Sequence, residues 1–149
     1  MKLEIRAATE TDLPSILRLY VEVEDDGRVL PIEQARSIFA RMRSYPDYVV
    51  YVAMLGGSIV GTFALLIMDN LAHMGAPSGV LEDVVVQRDW RGKGVGKQMV
   101  RFAMDHCRER GCYKLALSSN INREAAHRFY DSLGFQRHGH SFVVRLSQA

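Results

Sequence analysis

Cysteine is scarce in this chain: Cys107 and Cys112 are the only two in 149 residues. They are not spaced Cys-x-x-Cys, so neither a disulfide framework nor a zinc site is indicated, and no metal is expected. A reducing, cytoplasmic location is the natural default. Long apolar runs are also lacking, and without about 18 consecutive apolar residues no membrane partner is expected. The first residues, Met1-Lys2-Leu3-Glu4-Ile5-Arg6, alternate charge and apolarity like a strand rather than a signal peptide. A large excess of charge of one sign is lacking too. A net charge of +2 with no Lys/Arg block gives no argument for a nucleic-acid partner. Repeats, linkers and low-complexity segments are missing. What is present, 48% hydrophobic and 24% charged residues, is the composition of a soluble globular protein. The length predicts a single domain, 1–149, with one sizeable core.

Residues 2–7 predict a strand. Thr9-x-x-Asp12 resembles a capping box, and Pro14, Ile16, Leu17, Leu19 and Tyr20 carry an amphipathic helix that Asp25-Asp26-Gly27 breaks. Pro31 opens a second helix through Met42. Tyr48 to Leu55 is a strand, Gly56-Gly57 a hairpin turn, and Ile59 to Met68 the partner strand. A loop from Asn70 to Ser78 precedes another strand over 79–87. A helix to about Arg110 follows, with Val95, Met99, Phe102, Ala103 and His106 on one stripe. Tyr113 to Ser119 is a strand, and Glu124 to Leu133 a helix closed by Gly134. Phe135 to Leu146 predicts a final β-hairpin turning near His138-Gly139-His140. The order βααβββαβαββ indicates an α/β (α+β) fold with a mixed sheet.

The chemistry-bearing stretch is Arg91-Gly92-Lys93-Gly94-Val95-Gly96-Lys97, between a β-forming run and a helix. Three glycines at alternate positions let backbone N–H groups converge on a phosphate at a helix N-terminus, while Arg91, Lys93 and Lys97 supply mobile charge. A Walker A loop does not fit. Only three residues separate Gly92 from Gly96, and Gln98 stands where a metal-binding hydroxyl is needed. A dinucleotide fingerprint does not fit either, because the glycines are evenly spaced and neither Tyr113 nor Lys114 is acidic.

Read as Arg-x-x-Gly-x-Gly, Arg91, Gly94 and Gly96 resemble the acyl-CoA pyrophosphate loop of the GNAT superfamily of N-acetyltransferases. The element order is also that of GNAT proteins, so the resemblance covers nearly the whole chain. Glu82 to Val86 and Gly111 to Lys114 look like glucosamine-6-phosphate N-acetyltransferases. Asn120, Arg123 and Ala126 to Tyr130, ahead of Gly134-Phe135, resemble aminoalkylphosphonate N-acetyltransferases. The resemblance implies a mostly antiparallel mixed sheet with helices on both faces, acetyl-CoA as co-substrate, and a homodimer. It implies that backbone groups of Val84 and Val86 hold the pantetheine arm, inserted between splayed strands. The pyrophosphate is expected on Arg91, Gly92, Lys93, Gly94, Val95, Gly96 and Lys97, with Asn120 near CoA. Asn120 is equally readable as a turn residue opening the last helix.

Acetyl transfer to an amine needs a base for the ammonium, a donor to the oxyanion and an acid for the leaving thiolate. Tyr130 matches the family tyrosine that faces the sulfur and is the expected acid. Glu82 and Asp83 are the candidate bases, Glu82 preferred. In a regular strand Glu82 shares a face with Val84 and Val86, and Asp83 with Leu81 and Val85, so both reach one cleft only across a bulge. A backbone amide near Val84 is the expected oxyanion donor. Acceptor specificity is expected from 25–30, 70–78 and the last hairpin, with Arg28 and His73 as partners for an anion. His138-x-His140 on one strand face is readable as a metal pair or as an exposed hairpin tip. Cys107 is read as core filler rather than a nucleophile. The expected activity is N-acetylation of a small primary amine, an amino sugar phosphate or aminophosphonate first. A protein N-terminus or lysine, or acyl-CoA sensing without turnover, are the alternatives.

Overall fold

The structure of the protein, a computed structural model, describes residues 2–23 and 27–147. Asp25 and Asp26, expected to break the first helix and open the acceptor segment, lie outside the described residues. Two compact units divide the chain, one through Leu117 and one from Ser118 onward.

The first unit holds strand β1 (Glu4–Ala7), helices α1 (Leu13–Val21) and α2 (Ile32–Arg43), strands β2 (Tyr48–Leu55), β3 (Ser58–Met68) and β4 (Ser78–Val86), helix α3 (Val95–Glu109) and strand β5 (Lys114–Ala116). The strands form one sheet in the order β1-β2-β3-β4-β5. The first three pairings are antiparallel and β4–β5 is parallel. Alternating side chains give the sheet two apolar faces. Val50, Val52 and Ala64 on one side pack with Leu13, Ile16, Ala35 and Phe39 of α1 and α2. On the other face Tyr51 stacks on Phe63 at 5.1 Å and meets Phe102 of α3 edge-on at 5.1 Å. Met99, Val100, Ala103 and Cys107, buried at helical spacing, continue that contact along α3.

The capping box forms as the sequence predicts: the Thr9 amide donates to Asp12 Oδ2 at 2.8 Å. Asp12 also receives a two-pronged bond from Arg6, Nη1 to Oδ2 at 2.7 Å and Nη2 to Oδ1 at 3.0 Å. Arg6 first, then the Thr9 amide, hold the buried Asp12 carboxyl below its ordinary range. A depressed pKa contributes stability above the unfolded value of about 4, lost as pH falls through the folded one. Asp12→Asn is therefore expected to destabilise the protein by about 2 kcal/mol near neutrality. In chemical denaturation, that gap between variant and wild type should shrink as pH falls below about 4.

The second unit contains helix α4 (Glu124–Ser132). Its C-terminus closes as a Schellman motif at Gly134: the Gly134 amide donates to Asp131 at 3.1 Å and the Phe135 amide to Tyr130 at 3.2 Å. The expected final hairpin is not formed, since 135–147 contains no strand. A two-residue hairpin turn of the common kinds requires positive φ, and Gly139 does not adopt it. Phe142 and Leu146 are 90% and 91% exposed, so no apolar face repays the ordering of a ladder. The sheet therefore has five strands among the described residues rather than seven.

Candidate active site

β4 is where the candidate chemistry begins. Its register against β3 runs Ala64↔Glu82 and then Thr62↔Val85, so Asp83 and Val84 together oppose Phe63. This is a β-bulge, and Asp83 takes a φ of 52°, left-handed backbone that an L side chain rarely adopts. The extra residue corrects the alternation expected for a regular strand. Glu82 shares a face with Val85, not with Val84 and Val86, because Ala64 and Thr62 stand two apart on β3.

The Tyr48 phenol feels both carboxylates, Asp83 more than Glu82; burial first and then these charges raise its pKa. Tyr48 packs against the α1–α2 core, on the side that Glu82 shares with Ala64. The Asp83 residue is exposed overall, yet protein atoms crowd its carboxyl enough for desolvation to raise its pKa. In the sequence Tyr48 has only a strand position. Its alternation with Val50 and Val52 placed it on this face, but only the register links it to β4.

The pairing of β4 with β5 stops at Val80↔Ala116, and β4 runs on to Val86. Among the described residues, β4 past Val80 thus has no ladder partner on its β5 side. This open edge lies opposite the bulge and leads into the glycine stretch. Val84 is half-buried on it. The Val86 carbonyl accepts from Arg91 Nε at 3.0 Å, so it is already engaged.

A short 3-10 turn, Arg88–Trp90, precedes the loop. Gly92 and Gly94 have φ of 74° and 87°, and a Cβ at either would meet nothing within 4 Å. Gly94 is the residue before α3, and the Gln98 amide closes the first helical bond on its carbonyl at 3.1 Å. The amides of Val95, Gly96 and Lys97 lie in the first turn, where an α-helix leaves donors unsatisfied and its dipole is positive. The bare, open loop fits a pyrophosphate. The charges are less mobile than expected. Arg91 Nη2 lies 3.8 Å from Glu22, which also accepts the Arg88 amide at 3.0 Å, and Lys93 Nζ sits 5.1 Å above the Trp90 ring. Lys97 is exposed. Glu22, sixty-six residues from Arg88, left no signal in the sequence.

Tyr130 and Asn120 belong to the second unit. Tyr130 is half-buried on α4, edge-on to Phe129 at 5.2 Å and Phe135 at 5.6 Å. Burial raises its pKa, with Arg123 partly opposing, so the phenol is protonated at neutral pH. Asn120 makes the turn before α4. Its Oδ1 accepts the Asn122 amide at 2.9 Å, and its carbonyl accepts the Arg123 amide at 3.0 Å. Arg123 is the residue before α4.

His73 stacks on Tyr113 at 4.1 Å, tying the 70–78 loop to the start of β5. Arg28 is exposed. His138 and His140 are exposed in irregular backbone, so no strand aligns them on one face.

Residues 13–135 match the Acetyltransferase (GNAT) family. The chain belongs to this family, whose members transfer acetyl groups to amines. It is 34% identical over 136 residues to the glucosamine 6-phosphate N-acetyltransferase of Trypanosoma brucei brucei, covering 91% of this chain and 90% of that one. Over 143 residues it is 30% identical to the aminoalkylphosphonate N-acetyltransferase of Salmonella typhimurium, covering 96% and 91%. The crystal structure of glucosamine-6-phosphate N-acetyltransferase from Arabidopsis thaliana superposes with a TM-score of 0.85 at 28% identity, covering 99% of this chain and 100% of that one.

Proposed function

We propose that this protein transfers the acetyl group of acetyl-CoA to the primary amine of a small phosphorylated or phosphonylated acceptor, by direct attack with both substrates bound. The observation that carries the reading is the open edge of β4, with its bulge at Asp83-Val84 and the glycine loop at its end. An extended pantetheine arm fits a strand edge whose hydrogen-bonding groups have no ladder partner. Val84 offers backbone groups there, and the engaged Val86 carbonyl leaves Val86 the lesser contact. The loop from Arg91 to Lys97 receives the pyrophosphate on its amides, with Arg91, Lys93 and Lys97 as exposed cations. The names of the two relatives, a sugar-phosphate and a phosphonate enzyme, support the acceptor class. The family match spans both units, which supports one catalytic domain. The reading is of a cytoplasmic homodimer that requires no metal, membrane or nucleic acid.

Asp83 takes the place of Glu82 as the preferred base. A general base works best with its pKa moved toward the working pH, and burial raises that of Asp83. We propose that it accepts the ammonium proton with a Val84 amide as oxyanion donor, and the family resemblance of Tyr130 assigns that residue the phenolic proton for the departing sulfur. Asp83→Asn is expected to lower kcat/KM about 10²-fold. In the wild type, activity should decline as pH drops through the raised Asp83 pKa, because only the carboxylate accepts a proton; the variant should lose that limb. If Glu82→Gln proves the more damaging change, the base is Glu82.

A panel of amines with acetyl-CoA and a free-thiol assay tests the whole reading. Glucosamine 6-phosphate and an aminoalkylphosphonate should release thiol fastest. Tight CoA binding without thiol release from any amine would establish a sensor instead.

A further inference from the structure

We propose that Cys107 and Cys112 form an oxidisable dithiol, a modification site at which a low-molecular-weight disulfide converts the pair into an intrachain disulfide. The proposal does not depend on the active-site reading. α3 ends in a Schellman motif: the Gly111 amide donates to Arg108 at 3.0 Å and the Cys112 amide to Cys107 at 2.9 Å. Cys107 and Cys112 are the two positions whose side chains meet in that motif. With standard backbone lengths, the Cys112–Cys107 bond of 2.9 Å keeps the two Cα atoms within about 6.8 Å, the span a disulfide bridges.

The two thiols differ in access. Cys107 is 4% exposed, and its sulfur is seated on β4, where a Cβ on Gly79 would fall 2.5 Å from it. Burial, and then the neighbouring Cys112, push its thiol up to about 12. Cys112 is only half-buried, the more accessible residue of the two. It therefore enters the reaction first, since the thiolate is the nucleophile.

Having lost its proton to solvent, the Cys112 thiolate attacks one sulfur of the small disulfide. A bond forms between Cys112 and one half, and the other half leaves as a thiolate. That thiolate takes the Cys107 proton as the Cys107 sulfur attacks Cys112. The second half leaves and is protonated by solvent. Two protein thiols are oxidised and one small disulfide is reduced to two thiols.

The test is folded, full-length protein incubated with oxidised glutathione in mildly alkaline buffer, followed by non-reducing mass spectrometry. The expected product is lighter by two hydrogens, with Cys107 and Cys112 linked within one chain, and a thiol reductant reverses it. Cys112→Ser is expected to block the reaction entirely, because Cys107 does not react alone. Cys107→Ser should stop with one glutathione on Cys112; if that variant does not fold, the wild-type map and Cys112→Ser decide. Wild-type protein that stops at one glutathione, links two chains, or stays unmodified overturns the proposal.

Discussion

Tyr130→Phe is expected to lower turnover by about 10²- to 10⁴-fold at saturating acetyl-CoA, the range for loss of a positioned general acid. Affinity for CoA should stay within about twofold, because in the proposed mechanism the phenol acts on the departing sulfur and not on the phosphates. The half-buried ring keeps its packing in the variant: Phe129 and Phe135 contact the ring edge-on, and phenylalanine preserves both contacts. Stability therefore changes little and does not confuse the result. The pH dependence supplies the sign. Burial raises the Tyr130 pKa, so the acid is protonated from low pH through neutrality and beyond the ordinary value of about 10. Any decline in wild-type rate caused by its ionisation lies above that value and should vanish in the variant. Unchanged turnover for Tyr130→Phe would remove the tyrosine from the mechanism.

Local signals in the chain were readable where one segment decides its own structure. β2 runs over Tyr48–Leu55 as its alternation predicts, and Gly56-Gly57 turns with φ of 55° and 84° at both positions, as a tight hairpin requires. Gly134 closes α4 for the same kind of reason. What was not readable depends on a partner. The bulge is a property of β4 measured against β3: Asp83-Val84 looks like any strand until Phe63 is found opposite both. The proposal of Asp83 as base rests on burial of its carboxyl, which the Glu82-Asp83 pair does not encode alone.

The anchoring of Arg91 is nonlocal in the same sense, since its carboxylate partner sits at the end of α1. The final hairpin failed for the opposite reason. Phe142 to Leu146 has the apolar content of a strand, but a strand exists only with something to pair and pack against. Among candidate site residues, the sequence named the loop and the acids. It could not name Tyr48, or show that the Asn120 side-chain oxygen is spent on its own turn.

Gly94→Val should weaken CoA binding at least tenfold, about 1.4 kcal/mol, measured by calorimetry. Space is not the reason, because a Cβ at Gly94 meets nothing within 4 Å. The reason is the backbone: φ is 87° and ψ is 1° at the residue just before α3. An L side chain in left-handed backbone costs about 1–2 kcal/mol, and a β-branched one is the least tolerant. The loop either bears that cost or rotates, and rotation turns the first-turn amides of Val95 to Lys97 away from a common point. A graded series separates this account from steric exclusion. Loss of affinity should fall in the order Val, Ala, Asn, because asparagine visits left-handed backbone most readily despite being larger than alanine. A steric block would rank Asn with Val instead. The stem of α3 should survive every substitution, held by buried Met99, Val100, Ala103 and Cys107, so helical content by circular dichroism stays constant while affinity falls.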